Sequence, residues 1–295
     1  MTDACQRFLF DEADIRGEVV ELDSVLESAC EHHQYPLPVA RLLGEALAAC
    51  ALMRATIKLE GQLTLQVYGD DDAAISLLLV HADGDGAMRG TVRYQGEPQR
   101  GGLHQLCGNA RLVITIEPED GQRYQGVVGT EEEGLAATLE TYFRDSEQLP
   151  TRFFLASDGA RAAGMLLQRM PQKTSEGESP AVDPDAWERV GHLAATLSER
   201  ELLETGSEEL LHKLFHQETV RVFEPRELYF RCRCSAERIA SILRGLEREE
   251  IDKVLDEAGV VEVRCEFCGA AFRYDRVDVE HALADSATPG SERYH

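Results

Sequence analysis

Apolar residues recur at helical spacing over residues 39–58, and this pattern predicts a helix whose apolar face packs against a sheet. Downstream, β-branched residues alternate with polar ones between glycine-containing turns, which indicates strands. The predicted strands span residues 62–68, 74–80, 90–94, 111–117 and 123–128. A second helical pattern follows over residues 131–144. Because the strands form a run with helices grouped around them, residues 1–171 are predicted to form an α+β domain with a mixed sheet-and-helix core.

The segment after this domain has the composition of a linker. Residues 172–185 contain one large apolar side chain, Val182, among prolines, glycine and charges, which marks a domain boundary. Apolar positions then return at helical spacing and predict short helices between residues 186 and 220, separated at Gly206 and Ser207. Since helices this short are marginal alone, we expect the flanking domains to supply their packing partners.

The C-terminal region shows two more short helical patterns, over residues 235–259, followed by a strand at 260–263. The last residues are polar and are expected to fray. The predicted organisation has four parts: an N-terminal α+β core domain at 1–171, a flexible and then helical linker at 172–230, a small C-terminal module at 231–283 and a polar tail at 284–295.

Composition narrows the possible partners and location. The net charge of −24 repels phosphate backbones and anionic lipid, so nucleic acid and membranes are disfavoured partners. No apolar run in the sequence approaches the roughly 18 residues that a transmembrane helix needs. The first 22 residues mix acidic side chains with short apolar stretches and lack the basic start of a secretory signal, so we expect a cytoplasmic protein.

Four of the eight cysteines form two closely spaced pairs in the C-terminal module. The first pair is Cys232 and Cys234, and the second is Cys265 and Cys268. In a reducing compartment such pairs indicate a metal site or redox chemistry rather than a disulfide framework. Two short-spaced cysteine pairs supply the tetrahedral thiolate set that zinc prefers, with zinc–sulfur bonds of about 2.3 Å. The sequence therefore predicts one zinc ion per chain.

A closed four-thiolate site leaves no open position for a substrate, so metal-dependent hydrolysis is not expected, and the protein is predicted not to be an enzyme. Two other interpretations remain open at this point. One is a purely architectural zinc site. The other is a nucleic-acid-binding ribbon, which is disfavoured because acidic side chains outnumber basic ones in the module.

A redox switch is a further interpretation of the same cysteines. Structural zinc contributes about 10 to 16 kcal/mol to a small module, whereas a whole domain is stable by only about 5 to 15 kcal/mol. Loss of the metal should therefore unfold the module. Three arginines adjoin the cysteines in sequence and are expected to favour thiolates: Arg231, Arg233 and Arg264.

Oxidation could close one disulfide within each cysteine pair and expel the zinc. A disulfide between Cys232 and Cys234 closes a very short ring, which should be strained and easily reduced. The second disulfide would join Cys265 and Cys268. Reversibility of this kind suits a sensor.

Several motifs spread over nearly the whole chain resemble one family, the heat shock protein 33 family of redox-regulated 33 kDa chaperones. The motifs are FRCRCS at 230–235, CEFC at 265–268, SEQLPT at 146–151, AGMLLQRMP at 163–171 and MRG at 88–90. The resemblance implies an ATP-independent holdase that is inactive when reduced and zinc-bound. It also implies that oxidation releases zinc, unfolds the C-terminal module and destabilises the linker, after which the protein dimerises and binds unfolding client proteins.

By this resemblance the four paired cysteines are the zinc ligands and redox centres. Release of the linker is expected to expose apolar side chains for clients: Leu193, Leu197, Leu202, Leu203, Leu210 and Leu211. Two alternatives from other functional classes are a thiol-disulfide oxidoreductase that uses Cys265 and Cys268, and a zinc-stabilised structural adaptor. The first lacks the βαβ pattern of thioredoxin-like enzymes.

The remaining cysteines show no paired spacing and are expected to be small buried hydrophobic residues: Cys5, Cys30, Cys50 and Cys107. The sequence alone leaves open whether any of them takes part in redox chemistry.

Overall fold

The structure, a computed structural model, describes residues 3–58, 60–98, 101–130, 132, 134–171, 183 and 185–284. The chain divides into two compact units, Met1–Arg231 and Cys232–His295. The predicted boundary at 172–185 lies almost entirely outside the described residues, and so does the predicted polar tail at 284–295.

The first unit is mixed α and β, as the sequence predicts. Its N-terminal part contains β1 (Ala4–Phe10), β2 (Ile15–Leu22), α1 (Ser24–Cys30), α2 (Leu37–Thr56), β3 (Gly61–Tyr68), β4 (Ile75–Asp83), β5 (Ala87–Tyr94), α3 (Leu103–Cys107), β6 (Arg111–Pro118), β7 (Tyr124–Gly129), α4 (Leu135–Tyr142), a π-helical turn (Phe143–Glu147), β8 (Thr151–Ser157) and β9 (Ala162–Arg169). It continues with α5 (Ala186–Ala194), α6 (Glu199–Glu204), α7 (Ser207–Phe215), β10 (Val220–Val222), β11 (Arg226–Glu227) and β12 (Tyr229–Phe230).

Two sheets build this unit. In the first sheet the strand order is β10-β1-β2-β9-β8, with β11 also paired to β1, and all of its pairings are antiparallel. In the second sheet the order is β12-β5-β4-β3-β6-β7, where only the β12–β5 pairing is parallel among the described strands. The three shortest strands, β10, β11 and β12, therefore lie along the outer edges of β1 and β5.

Helix α2 forms the centre of the main core. It packs against strands of both sheets, and its side chains are buried around nearly its whole circumference, including Leu43, Leu47 and Cys50. Gly44 allows the helix to approach the first sheet closely, because a Cβ atom there would lie 2.3 Å from the Ser157 hydroxyl oxygen. The predicted helix at 39–58 is confirmed, but it buries two faces rather than the one that the sequence predicts.

Helices α5, α6 and α7 cover the opposite face of the first sheet. Their apolar side chains form a second core with residues of β1, β2, β8 and β9. Phe215 at the end of α7 lies with its ring centroid 5.1 Å from that of Phe10 and 6.2 Å from that of Phe8. Gly17 on β2 makes room for the Phe8 ring, since a Cβ there would lie 2.0 Å from it. The predicted short helices at 186–220 are confirmed, and they dock on the N-terminal sheet.

The second unit has its own small core. Helices α8 (Ala236–Leu243), α9 (Arg248–Ala258) and α10 (Arg276–Ala284) pack with the antiparallel hairpin of β13 (Val261–Arg264) and β14 (Ala271–Tyr274). The buried side chains are Ile239, Leu243, Ile251, Leu255, Val261, Tyr274 and Val279. The two helices and the strand predicted between residues 235 and 263 are confirmed. So few buried side chains make a small core, which fits a module that needs additional stabilisation.

Candidate metal centre

The first cysteine pair is positioned by the start of α8. Ser235 is the N-cap of that helix, and its hydroxyl accepts a hydrogen bond of 3.3 Å from the backbone N–H of Arg238. The Arg238 guanidinium in turn donates to the carbonyl of Arg233 at 3.0 Å. These two contacts fix the short segment that carries Cys232 and Cys234.

The second cysteine pair lies in the turn between β13 and β14. The backbone N–H of Cys265 donates to the carbonyl of Ala270 at 2.9 Å, and the N–H of Gly269 donates back to the carbonyl of Cys265 at 2.9 Å. Gly269 has a φ of 66°, in the left-handed region where glycine is strain-free. This tight turn points Cys265 and Cys268 toward one side of the hairpin end.

All four sulfur atoms converge. The Sγ atoms of Cys232, Cys234, Cys265 and Cys268 lie within 4.8 Å of one another, and all four side chains are half-buried. Two of the separations between the pairs are 3.5 Å, from Cys232 to Cys265, and 3.4 Å, from Cys234 to Cys268. Within the described part of the chain, this is the group of residues whose ligand atoms meet closely enough to hold a metal ion.

The sulfur geometry fits a tetrahedral metal. Metal–sulfur bonds of about 2.3 Å place the sulfurs of a tetrahedron about 3.8 Å apart. The separations of 3.5 and 3.4 Å are slightly shorter than that value, so small side-chain adjustments suffice to bind an ion. Four thiolates are a typical ligand set for structural zinc, and they leave no position for substrate. The residues thus fit the metal that the sequence predicts.

The thiols strongly influence each other's ionisation. Burial opposes ionisation of Cys232, but the backbone N–H of Cys234 and the neighbouring thiols donate hydrogen bonds to it and lower its pKa to about 7. Burial and the surrounding sulfurs raise the pKa of Cys234 well above its ordinary value. Burial likewise raises the pKa of Cys268. The Cys232 thiol therefore ionises readily, but its negative charge opposes ionisation of the other thiols. A divalent cation removes that opposition because it neutralises the negative charge.

Two of the adjacent arginines are already paired with carboxylates. The Arg231 guanidinium donates to Asp85 at 2.7 Å and to Asp83 at 3.2 Å. Arg264 donates to Glu262 at 2.9 Å. The hydrogen bonds that lower the pKa of Cys232 come from the backbone of Cys234 and from the thiols of the other three cysteines. The sequence suggested the arginines because they are neighbours along the chain, whereas their carboxylate partners become visible only in the fold.

The four remaining cysteines belong to the first unit. Cys5, Cys50 and Cys107 are buried, as expected from the sequence, and burial raises the pKa of each, for Cys107 to about 12. Cys30 is half-buried against the main core, and burial raises its pKa as well. A thiol with a raised pKa is protonated at neutral pH and reacts slowly.

The six leucines suggested as client contacts all lie in the second core, on the face of the first sheet. Leu202, Leu210 and Leu211 are buried there, with exposed fractions of 2 to 3%. The other three, Leu193, Leu197 and Leu203, are partly buried against the same core. The side chains are therefore covered in this state, and a client would reach them only after α5, α6 and α7 move.

The sequence did not predict two polar contacts, one made by a linker helix and one made by the residue that follows the linker. Glu21 on β2 contacts Ser207 on α7, and Arg231 contacts Asp83 and Asp85 at the turn between β4 and β5. These partners are separated by 146 or more positions in the sequence. No local motif signals them. Among the described residues, no helix is long and apolar enough to span a membrane.

Comparison with known proteins gives a consistent result. A family model described as "Hsp33 protein" matches residues 3–275. A 33 kDa chaperonin of Shewanella sediminis is 42% identical over 292 residues, covering 99% of both chains. A 33 kDa chaperonin of Pseudomonas aeruginosa is 41% identical over 298 residues, covering 100% of this chain and 99% of its own. The crystal structure of a 33 kDa chaperonin (HSP33) from Thermotoga maritima superposes with a TM-score of 0.80 at 21% identity, covering 96% of this chain and 98% of that one. At this low identity, the similarity to the Thermotoga maritima structure shows a shared fold and nothing more.

Proposed function

This chain belongs to the Hsp33 family, and from that premise we propose that it is a redox-regulated, ATP-independent holdase of the cytoplasm. The family supports a chaperone role, and chaperonins are not a class of enzymes. The observation that carries the redox part of the proposal is the convergence of four thiols within 4.8 Å at the end of a small module.

In the reduced state, Cys232, Cys234, Cys265 and Cys268 hold one zinc ion. The metal supplies stabilisation rather than catalysis. Structural zinc is worth about 10 to 16 kcal/mol to a small module, and the second unit has only a modest apolar core of its own. The reduced protein is the inactive form, because the linker helices then cover the apolar face of the first sheet.

Oxidation removes the ligands. Four thiolates give up four electrons to two equivalents of a two-electron oxidant such as hydrogen peroxide, and each peroxide takes up two protons and leaves as two waters. We propose one disulfide between Cys232 and Cys234 and another between Cys265 and Cys268. Disulfide sulfurs are poor metal ligands, so the module loses both its zinc and its stability.

Unfolding of the module then releases the linker, residues 172–230. The side chains that become available to unfolding client proteins are Leu193, Leu197, Leu202, Leu203, Leu210 and Leu211. They are now buried or partly buried in the second core. The oxidised protein associates as a homodimer. With a net charge of −24 the chain is not suited to bind nucleic acid or anionic membranes, and the charge keeps it soluble when apolar surface is exposed.

The proposal is tested on the full chain by measuring zinc content, free thiols and suppression of client aggregation before and after peroxide with mild heat. We expect about one zinc released per chain, four thiols lost, and suppression only in the oxidised sample. Zinc that stays bound under oxidant would favour a structural adaptor. Turnover of a disulfide substrate that Cys265→Ser abolishes would favour an oxidoreductase.

The disulfide pairing can be read from tryptic peptides, because Arg233 lies between the first two cysteines. Pairing within each motif gives Cys232–Arg233 linked to the peptide 234–238, and a separate peptide 265–273 that contains an internal disulfide. Pairing between the motifs links all three peptides into one species. Mass spectrometry distinguishes these outcomes, and the second one contradicts the proposed pairing.

A further inference from the structure

The end of the linker covers the outer edges of two sheets. In antiparallel pairing with β1, residues Val220, Arg221 and Val222 lie opposite Phe10, Leu9 and Phe8, and β11 extends the same edge. β12 pairs with the outer edge of β5. We call residues 219–231 the covering segment. Without it, β1 and β5 would each present a row of unpaired N–H and C=O groups.

The covering segment is held mainly through its backbone. Asp11 N–H donates to the Thr219 carbonyl at 3.0 Å, and Phe223 N–H donates to the Arg7 carbonyl at 2.9 Å. Further main-chain bonds join Leu228 to Asp3, Tyr229 to Gly86 and Arg231 to Met88, at 2.9 to 3.1 Å. Recognition of this kind depends little on sequence, because every extended chain offers the same donors and acceptors.

The apolar side chains of the covering segment are buried only in part. Val222, Phe223 and Tyr229 are 37 to 39% exposed, and Val220, Leu228 and Phe230 are partly buried against the cores. The paired stretches are only two or three residues long. The ion pair of Arg221 with Asp11 lies at the surface, where such pairs contribute little, whereas Arg231 at the end of the segment pairs with the largely buried Asp83. A segment held in this way is easily exchanged for another extended chain.

Strand β1 has few features that would discourage such an exchange. It contains no proline, and Arg7, its one charged residue, is tied to the buried Glu18 at 2.8 Å. Natural proteins protect edge strands with proline, with charges or by covering them. Here the covering segment provides that protection, and all of it except Arg231 belongs to the linker that the proposed switch releases.

We propose that the edge of β1, and with it that of β5, binds extended segments of unfolding client proteins by strand addition once the covering segment leaves. The inference rests on the proposed function, because release of the linker is what opens the edge. Backbone pairing at the edge acts together with the apolar face of the first sheet, which is exposed when α5, α6 and α7 leave it. It explains how one protein can hold clients of unrelated sequence without ATP.

The test uses three synthetic peptides of residues 217–225, added to oxidised full-length protein. The first is unmodified. The second carries N-methyl groups at Arg221 and Phe223, whose backbone groups face β1 in the observed register. The third carries them at Val220 and Val222, whose backbone groups face away. The second and third have the same number of methyl groups and identical side chains, so they form a matched pair.

Binding is measured by fluorescence anisotropy, and competition is measured as loss of suppression of heat-induced malate dehydrogenase aggregation. We expect the unmodified peptide and the outward-methylated one to bind the oxidised protein and to compete. The inward-methylated peptide should bind about tenfold more weakly or worse, and reduced protein should bind all three poorly. Equal behaviour of the two methylated peptides, or binding without competition, overturns the inference.

Three outcomes distinguish this inference from the proposed function and from association of two copies of the chain. If the oxidised protein suppresses aggregation but binds none of the peptides, strand addition is wrong and the holdase proposal stands. If the oxidised protein does not suppress aggregation, both the holdase proposal and client binding at the edge are wrong. If the peptides dissociate a dimer but leave suppression intact, the edge belongs to a second copy of the chain and the inference is again wrong.

Discussion

The carboxylate of Glu21 accepts hydrogen bonds from both the backbone N–H and the hydroxyl of Ser207, each at 2.6 Å. Ser207 is the first residue of α7, and the N-cap before it, Gly206, has no side chain to fill that role. A strand of the first sheet therefore caps a helix of the linker, and the carboxylate also lies at the positive end of the helix. Docking of the linker depends on this polar contact as well as on apolar packing.

Replacing Glu21 should loosen the linker. Glu21→Ala removes the cap and is expected to destabilise the docked helices by about 0.5 to 2 kcal/mol, and Glu21→Gln, which keeps an acceptor, should have a smaller effect. Trp187 on α5 reports the change through its fluorescence during urea titration. Glu12→Ala, at an exposed turn, is the control. An unchanged midpoint for Glu21→Ala would show that the contact does not hold the linker.

Phe215 is the strongest apolar anchor of α7, since its ring packs on Phe8 and Phe10 and is 1% exposed. Phe215→Ala should cost about 3 to 5 kcal/mol in docking. We expect the reduced variant to suppress aggregation while its zinc and thiols remain intact. Aggregation assays, zinc content and thiol titration on the same sample test this separation of linker release from oxidation.

Two variants control the Phe215 experiment. Phe215→Leu keeps most of the apolar volume and should be intermediate. Tyr68→Ala removes an aromatic ring that is 41% exposed on β3 and should leave the reduced protein inactive. If Phe215→Ala folds but stays inactive until it is oxidised, docking of α7 is not what keeps the protein inactive.

Glu45 makes stability depend on pH. Burial on α2, reinforced by nearby Glu199 on α6 and opposed by Arg41, raises the pKa of Glu45 to about 7 from an ordinary value near 4.5. The folded state therefore holds a proton that the unfolded state has lost, so the stability from this group is complete below about pH 4.5 and is lost as pH rises to about 7.

The substitution Glu45→Gln removes that loss. We expect it to stabilise the protein by about 1 to 3 kcal/mol above pH 7 and by much less near pH 4.5. Urea unfolding at a series of pH values measures the difference. A stability gain that is the same at both pH values would mean that ionisation of Glu45 is not responsible.

The metal site predicts different roles for two half-buried cysteines. Cys268→Ala removes a ligand and should weaken zinc binding by more than the roughly 10- to 100-fold lost with an outer hydrogen-bonding partner. It should also unfold the second unit, as seen in the loss of amide protection for α8 and α9. Cys30→Ala, in the first unit, should keep full zinc content. Equal zinc content in the two variants would contradict the four-cysteine site.

The sequence predicted some elements of the fold and missed others for a physical reason. Helix α2 and strands β3 to β7 follow clear periodicities. Strands β2 and β9 were missed because the first sheet is covered on both faces, by α2 and by the linker helices, so alternation of apolar and polar residues is lost. In β9, seven consecutive residues are buried. In β2, the buried Glu18 interrupts the pattern while pairing with Arg7.

The metal site was more predictable than the contacts of the linker. Ligand spacing along the chain already indicates a tetrahedral thiolate site, because the two cysteines of each pair are only two or three positions apart. The contact between Glu21 and Ser207 spans 186 positions, and that between Arg231 and Asp85 spans 146. Such pairs depend on how the linker folds back over the sheets, which no local pattern encodes.

The central claim is that oxidation of the four cysteines undocks the linker from an otherwise intact sheet. Hydrogen–deuterium exchange of reduced, zinc-bound protein and of peroxide-oxidised protein tests it most directly. The account predicts that α5, α6, α7 and the covering segment lose their amide protection on oxidation, together with the second unit, while α2 and strands β3 and β4 stay protected. Unchanged protection of α5, α6 and α7 in protein that has lost its zinc would contradict the account.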